Sequence, residues 1–589
     1  MNIYIDNKKI EATAGETVIT AALRNNIYVP HFCWHPELSV AGNCRMCLVE
    51  VGTPKRNPDG SFATNDNGEV VITYMPKLQI ACNTIVSDEM RVNINSQKCI
   101  DARASVMEFI LINHPLDCPI CDEAGACKLQ NYSTAYSKGG SRFSEEKNKN
   151  PKRVAWNDKI IYDAERCISC SRCIRFTNEI MKEDVLTFIN RGDKIRINRF
   201  QDKQIENEYS MNVIDNCPVG ALTSKDFRFK ARVWEMSFND SICTLCARGC
   251  NVSIGTKNNE VLRVQPLGAV MQCYDTASLN DEEIPKQVRY DEKINYWMCD
   301  YGRLNLADKV NNKRLSSPKI YEETLKVVSW ENAITYTANL LKKNKPEETL
   351  IIASPNSSNE TNHLLTILAD VLNKCHTELI SASPNNDEIP KQVRYDRSNI
   401  GYIPNINESF ADDMLKTKFM SPNTNGLIAL GINQIDVNKL IEDINNGTIK
   451  TLIAFEEDFN NAISSNPELV SAFAKLKHLI LCISNQTPIT MYANAILPTA
   501  TFAEYEGTFT NIDNKVQHFK PIIITDDNMK YVDANIELNR SRLDIFGAKN
   551  DKWNQKPVID FKPTWWIVNE LLKLFGISNK YNTATDILK

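Results

Sequence analysis

Ile3, Ile5, Ile10 and Ala12 are separated by polar positions and interrupted by Asp6-Asn7, a pattern that predicts a hairpin. A short helix is expected over about residues 17–25. Residues 52–76, with their NPDG and NDNG turns, read as an inserted hairpin without chemistry. The run ARASVMEFILIN, just after Cys99, has helical spacing. Past about residue 305 the pattern changes. TLIIAS (349–354), NGLIALGI (425–432), TLIAFEE (451–457) and HLILCIS (478–484) are strand-like runs alternating with helical stretches. That alternation predicts an α/β fold with a mainly parallel sheet. No apolar run reaches the roughly 18 residues of a membrane-spanning helix, and the runs around Leu350 and Leu479 fall well short. The start, MNIYIDNKKI, lacks the basic and then apolar segments of a signal peptide, so none is expected.

Composition adds little until cysteine is considered. The 589 residues are 42% apolar and 24% charged, with a formal net charge of -5 and dispersed positive charge, which gives no support for nucleic-acid binding. There are 19 cysteines, and only Cys375 and Cys482 fall after residue 300. A reducing cytosol disfavours a disulfide framework, and the crowding of the thiols points to metal ligation.

The first group is Cys33, Cys44, Cys47 and Cys82, with gaps of 10, 2 and 34 residues. A loop that wraps a [2Fe–2S] cluster and a distant closing thiolate have this layout. Gly42 lets backbone N–H groups approach the sulfurs. Zinc also accepts four thiolates, commonly as two C-x2-C knuckles, and only one knuckle is present here. His31 and His35 lack the paired Cys-x-His motifs of a Rieske site and read as packing or hydrogen-bonding residues. The second group, HPLDCPICDEAGAC, supplies His114, Cys118, Cys121 and Cys127, a set that can hold a [4Fe–4S] cluster. Cys99 is the alternative to His114. The third group has Cys167, Cys170 and Cys173 in C-x2-C-x2-C, closed by Cys217 before Pro218. Thr177 stands where a bacterial ferredoxin places its next cysteine. Arg166, Arg172 and Arg175 accompany these thiolates; their charge is expected to favour the reduced, more negative state, and at least one of them is expected to face solvent.

The fourth group has Cys243, Cys246 and Cys250 in C-x2-C-x3-C, with Cys299 expected to close a [4Fe–4S] site and Cys273 as the competitor. The 48-residue gap before Cys299 contains EIPKQVRYD at 283–291, repeated at 388–396. A single repeat is no solenoid. It resembles the mobile palindromic peptide elements inserted into proteins of some intracellular bacteria, and such tolerance predicts surface loops. No G-x-G-x-x-G or Walker motif follows a strand, so no nucleotide site is expected. Cys375-His376 reads as ordinary core or surface.

Together, residues 1–305 resemble the large iron–sulfur subunit (G-type, 75-kDa type) of bacterial NADH:quinone oxidoreductase, respiratory complex I. The long first gap and the His114 motif also occur in related hydrogenases and formate dehydrogenases. The remainder resembles the degenerate molybdopterin-oxidoreductase domain of that family, through AILPTATFAEYEGTFTNIDNKVQ. Asp513-Asn514 stands there in place of the usual Glu-Gly, which weakens any cofactor claim. The resemblance implies a multidomain α+β and α/β chain. Its divisions are a [2Fe–2S] ferredoxin-like domain (1–95), a histidine-ligated [4Fe–4S] domain (96–145) and a [4Fe–4S] ferredoxin-like domain (146–235). A [4Fe–4S] domain with an insertion (236–305) and the molybdopterin-like α/β domain (306–589) complete it. It implies one [2Fe–2S] and three [4Fe–4S] clusters, no molybdopterin, and no catalytic acid, base or nucleophile. Electrons would arrive from NADH through a flavin-bearing partner and leave toward quinone within an ion-translocating complex. The implied partners are the flavin-bearing chain, a small [2Fe–2S] chain and quinone-side iron–sulfur chains, on the cytoplasmic face of the inner membrane. The alternatives are an iron–sulfur/molybdopterin component of a formate dehydrogenase and the diaphorase part of a hydrogenase.

Overall fold

Asp6 and Asn7 both adopt left-handed backbone (φ 44° and 67°), the geometry of a two-residue hairpin turn. They join β1 (Asn2–Ile5) to β2 (Lys8–Glu11) as an antiparallel pair. The computed structural model describes residues 1–137, 139–269, 295–374, 399–523, 528–531, 560–577 and 581–588. These form two compact units, residues 1–234 with 266–300, and residues 235–265 with 301–589. The Cys273 alternative, both EIPKQVRYD copies and Cys375-His376 lie outside the described residues.

In the first unit, α1 (Val18–Arg24) is capped by Thr17, as the sequence pattern predicts. β3 (Leu48–Pro54), β4 (Ile72–Tyr74), β5 (Gln79–Ile80) and β6 (Arg91–Asn93) extend the hairpin into a six-stranded sheet. Its order is β2-β1-β6-β3-β4, with β5 paired to β3. The inward residues Ile3, Ile5, Val18, Ile19, Val49, Val51 and Val92 pack in one core that also contains Cys47 and Cys82. Two cysteines of the first group are therefore held by the main apolar cluster of this sheet.

The helix α2 (Gln97–Leu111) starts at Ser96, whose hydroxyl accepts from the Cys99 N–H at 3.4 Å. Arg103 on α2 is fully buried and donates to the carbonyls of Met46 and Leu48 at 3.4 and 3.2 Å. It thereby ties the helix to the chain on either side of Cys47. α3 (Lys128–Tyr136) packs on α2. A three-stranded sheet follows, with β8 (Ile160–Tyr162) between β7 (Val154–Ala155) and β11 (Leu222–Ser224). Between β8 and β11 lie α4 (Arg172–Arg175), the hairpin β9 (Leu186–Ile189) and β10 (Arg196–Arg199), and α5 (Asn212–Asn216).

The second unit opens with an antiparallel sheet of β12 (Ser237–Ile242), β13 (Asn251–Lys257) and β14 (Glu260–Pro266). Its main sheet has eight strands: β15 (Lys319–Glu322), β16 (Thr324–Val327), β17 (Thr349–Ala353), β18 (Ile400–Tyr402), β19 (Asn433–Gln434), β20 (Thr451–Phe455), β21 (His478–Ile483) and β22 (Ala495–Pro498). Their order is β16-β15-β22-β21-β20-β17-β18-β19. The stretch from β22 to β19 is parallel, and β15–β16 adds an antiparallel edge. β17 and β20 are buried along their whole length, as the continuous apolar runs require. One expected strand is corrected. The run 425–432 contains a helix, Thr424–Ala429, and the neighbouring strand is the short polar β19. A short apolar run cannot separate a buried strand from a helix by periodicity alone. Gly431, at φ +69°, lies just beyond this helix and turns the chain toward β19.

The strand order reverses between β17 and β20, so a crevice opens at their carboxyl ends. The chain fills that place with its own polar groups. Ser354 donates to the Glu457 carboxylate at 3.3 Å, the Phe459 N–H donates to its other oxygen at 3.1 Å, and Lys309 donates to Asn356 at 3.3 Å. Burial pushes Glu456 up to about 7 and Glu457 up to about 8. The folded chain thus keeps protons that the unfolded chain releases near 4.5, so stability falls as pH rises from there through about 8. A Glu457→Gln variant should show a flatter decline of the unfolding midpoint across that window. A slope equal to the parent's would contradict the assignment.

Candidate metal centres

The first group sits on the loop 30–47 and on the turn after β5. Cys33, Cys47 and Cys82 are buried and Cys44 is half-buried. Gly42 and Arg45 are left-handed (φ 64° and 59°), which folds the loop back on itself, and the Phe32 N–H points to the Cys44 sulfur at 3.5 Å. The thiols associate two and two. Cys44 donates to Cys33, holding Cys33 down at about 5 while Cys44 is pushed well up. Cys47 donates to Cys82 and is likewise pushed well up. Pairing by twos suits a binuclear centre, in which each iron takes two thiolates. Among the described residues no three ligating side chains converge on a single-ion position. His31 and His35 pack as expected. His31 meets the Val29 carbonyl at 2.8 Å, and His35 stacks on Trp297 with ring centroids 4.8 Å apart. Burial lowers His35 to about 2.

The third group surrounds one cavity. Cys167, Cys170, Cys173 and Cys217 line it together with Tyr162, Ile197, Val219 and Leu222. Left-handed Ser169 and Ser171 (φ 53° and 62°) turn the C-x2-C-x2-C segment, and Cys217 arrives from the end of α5. Burial raises all four thiols, Cys167 to about 11, and their mutual repulsion adds to it. Four thiolates in an apolar cavity need compensating cations, so the donor set fits a cluster that supplies them. The buried Tyr162 was not anticipated. It lies on the alternating strand β8, and its position ahead of the cysteines was the available signal.

The second group follows α2. A short turn, Cys118–Ile120, begins the motif, Cys127 caps α3, and the Cys121 N–H donates to the Cys118 carbonyl at 3.2 Å. Cys118 is exposed, whereas Cys121 and Cys127 are buried, and burial lifts Cys127 to about 12. Burial, then the charge of Arg166, lowers His114 to about 4, so its ring is neutral at pH 7. Its Nδ1 is buried with no hydrogen-bond partner, as an imidazole kept for a metal would be. Cys99 turns elsewhere, its thiol donating to the Asn93 carbonyl at 3.4 Å.

The three groups adjoin one another, and the first-group loop also meets the helix that follows Cys127, where the His31 N–H donates to the Tyr132 hydroxyl at 3.1 Å. A Cβ built on Gly220, just after the Cys217-Pro218 turn, would lie 2.1 Å from the Cys121 sulfur, so the third and second groups meet where only glycine fits. The third group also lies near the first, since Asn43 donates to the Ser169 carbonyl at 3.2 Å and Arg175 donates to the Cys33 carbonyl. The expectation that one of the three arginines faces solvent is corrected. Arg166, Arg172 and Arg175 are 3%, 2% and 9% exposed. Each directs guanidinium nitrogens at loops that carry ligands, Arg166 at the Asp117 carboxylate at 3.0 Å.

Of the fourth group, Cys243, Cys246 and Cys250 share one loop in the second unit, where the Cys243 N–H donates to the Cys250 carbonyl at 2.9 Å. Left-handed Gly249 (φ +61°) packs against Gln517, whose amide donates to its carbonyl at 2.8 Å. Cys299 belongs to the first unit, next to Met298, whose N–H donates to Asn212 at 3.1 Å.

Residues 1–97 match the family described as 2Fe-2S iron-sulfur cluster binding domain, and 103–142 match the NADH-ubiquinone oxidoreductase-G iron-sulfur binding region. Residues 157–223 match the NADH-quinone oxidoreductase subunit 3 ferredoxin-like domain, and 404–531 match Molybdopterin oxidoreductase. NADH-quinone oxidoreductase subunit 3 of Thermus thermophilus is 34% identical over 64% of this chain and 47% of its own length. The G-type NADH-quinone oxidoreductase subunit of Rickettsia conorii is 36% identical over 63% of this chain and 49% of its own. The chain thus spans about half the length of these curated relatives. A solved NAD+-reducing [NiFe]-hydrogenase is similar at 25% identity and a TM-score of 0.32, over 39% of this chain and 90% of that one.

Gly220→Ala forces the Cys121 sulfur to move. We expect the variant to lose the iron and sulfide held by the second group while retaining those of the first. A full parental complement would contradict the close approach.

Proposed function

We propose that the chain is an iron–sulfur subunit of the NADH-quinone oxidoreductases, of the G-type or subunit 3 type to which it is similar, and that it serves as the electron relay of such a complex. Electrons would come from NADH through a flavin-bearing partner and leave toward quinone. The observation that carries this reading is the close approach of the ligand groups, the third adjoining both the first and the second. A relay needs centres close together and shielded from water, and the apolar cavity of the third group meets the second condition.

Cys33, Cys44, Cys47 and Cys82 would hold one [2Fe–2S] cluster. His114, Cys118, Cys121 and Cys127, and Cys167, Cys170, Cys173 and Cys217, would each hold a [4Fe–4S] cluster. Cys243, Cys246 and Cys250 would hold a third, with Cys299 as its fourth ligand by sequence, off the main path. Bound clusters supply one-electron redox chemistry. The protein's own work is to bind them, exclude water and place fixed charge around them. Neutral His114 gives its site one negative charge fewer than four thiolates would. Exposed Cys118 puts the second group nearest the surface, which suits it to hand electrons to a quinone-side iron–sulfur partner. The flavin-bearing partner and a small [2Fe–2S] partner would stand on the entry side. No described helix is long and apolar enough to cross a membrane, so attachment at the cytoplasmic face would come through these partners.

In the assembled complex, Cys118→Ser should remove one [4Fe–4S] signal and abolish electron flow from NADH to quinone. Full activity would refute the relay. His114→Cys should keep its cluster at a lower reduction potential, and an unaltered potential would rule out histidine ligation.

A further inference from the structure

Between the first and third groups lie two arginines that the relay reading does not yet use. Both are buried, and both belong to α4, which begins one residue before Cys173. Arg175 donates from its two terminal nitrogens to the carbonyls of Cys33 and Ser39, and from Nε to the Ser171 hydroxyl at 3.2 Å. Arg172 donates to the Trp34 carbonyl on one side and to the Asn216 carbonyl, next to Cys217, at 3.3 Å on the other. The Asn216 amide returns a bond to the Arg172 carbonyl at 3.1 Å. Further links cross the same boundary. Asn43 donates to the Ser169 carbonyl at 3.2 Å, and the Ser39 N–H and hydroxyl donate to the Glu179 carboxylate at 2.8 and 2.5 Å. Each guanidinium therefore bonds to the backbone of the first-group loop while its own backbone carries the third group.

Simple clamping of two loops would not require charge. A guanidinium cannot lose its proton at accessible pH, and buried charge is weakly screened. Arg175 lies within the electrostatic reach of both Cys33 and Cys170, and Arg172 within that of Cys170. Fixed positive charge there favours an added electron on either side and binds the two sides at a set separation.

Resting on the relay reading, we infer that Arg172 and Arg175 are positioning residues that together raise the reduction potentials of the first and third centres. At the second group the arginine whose charge acts on His114 and Cys121 is Arg166 rather than Arg172 or Arg175.

The test is an EPR-monitored redox titration of the cluster-loaded full chain bearing Arg175→Met, Arg172→Met or Arg175→Lys. The methionine variants should shift the first- and third-group signals to lower potential and leave the second-group signal in place. The lysine variant should return both toward the parent. Unchanged potentials in a loaded methionine variant, or an equal shift of all three signals, would overturn the inference. If a methionine variant fails to load, Arg175→Lys decides: parental potentials support the inference and lowered ones overturn it. A parent chain without any cluster signal would instead remove the relay reading itself.

Discussion

The first unit depends on one physical conflict: thiols that must ionise to bind metal are placed where ionisation is most costly. Cys127, Cys167, Cys173 and Cys217 are all pushed up by burial. In an apolar cavity only a nearby cation makes a thiolate acceptable, which is the physical basis for the proposal that these side chains hold a positively charged inorganic core. The region around residues 154–224 is built from small sheets of two and three strands.

The same conflict explains the arginines. Arg166, Arg172 and Arg175 are long cationic side chains withdrawn from water, which is tolerable because each fork meets carbonyls or a carboxylate on ligand-bearing loops. They join segments far apart in sequence and bring fixed charge close to the thiols. Glycine plays the complementary part at residue 220, where the absence of a side chain lets Cys121 approach.

Much of this was legible in the chain. The β1–β2 hairpin, the helix capped by Thr17 and the buried parallel strands β17, β20 and β21 follow from alternation, turn residues and continuous apolar runs. Cysteine spacing delimited the candidate groups because ligands on one loop must lie close in sequence. What escaped was decided by tertiary context. The apolar run 425–432 carried no period to mark it as a helix. The burial of three arginines depends on carbonyl partners more than a hundred residues away for Arg172 and Arg175, which no local pattern encodes. Gly220 looked like an ordinary residue after a Cys-Pro turn until the second group was placed against it. The strand order, with its reversal between β17 and β20, likewise emerged only from the pairing.

The account stands on iron and sulfide at the cysteine groups. Mössbauer spectroscopy of the anaerobically prepared, isotope-enriched chain, with chemical assay of iron, acid-labile sulfide and zinc, tests it most directly. One binuclear and three tetranuclear iron centres, with sulfide matching iron, is the predicted result. A colourless protein with stoichiometric zinc and no sulfide would contradict it.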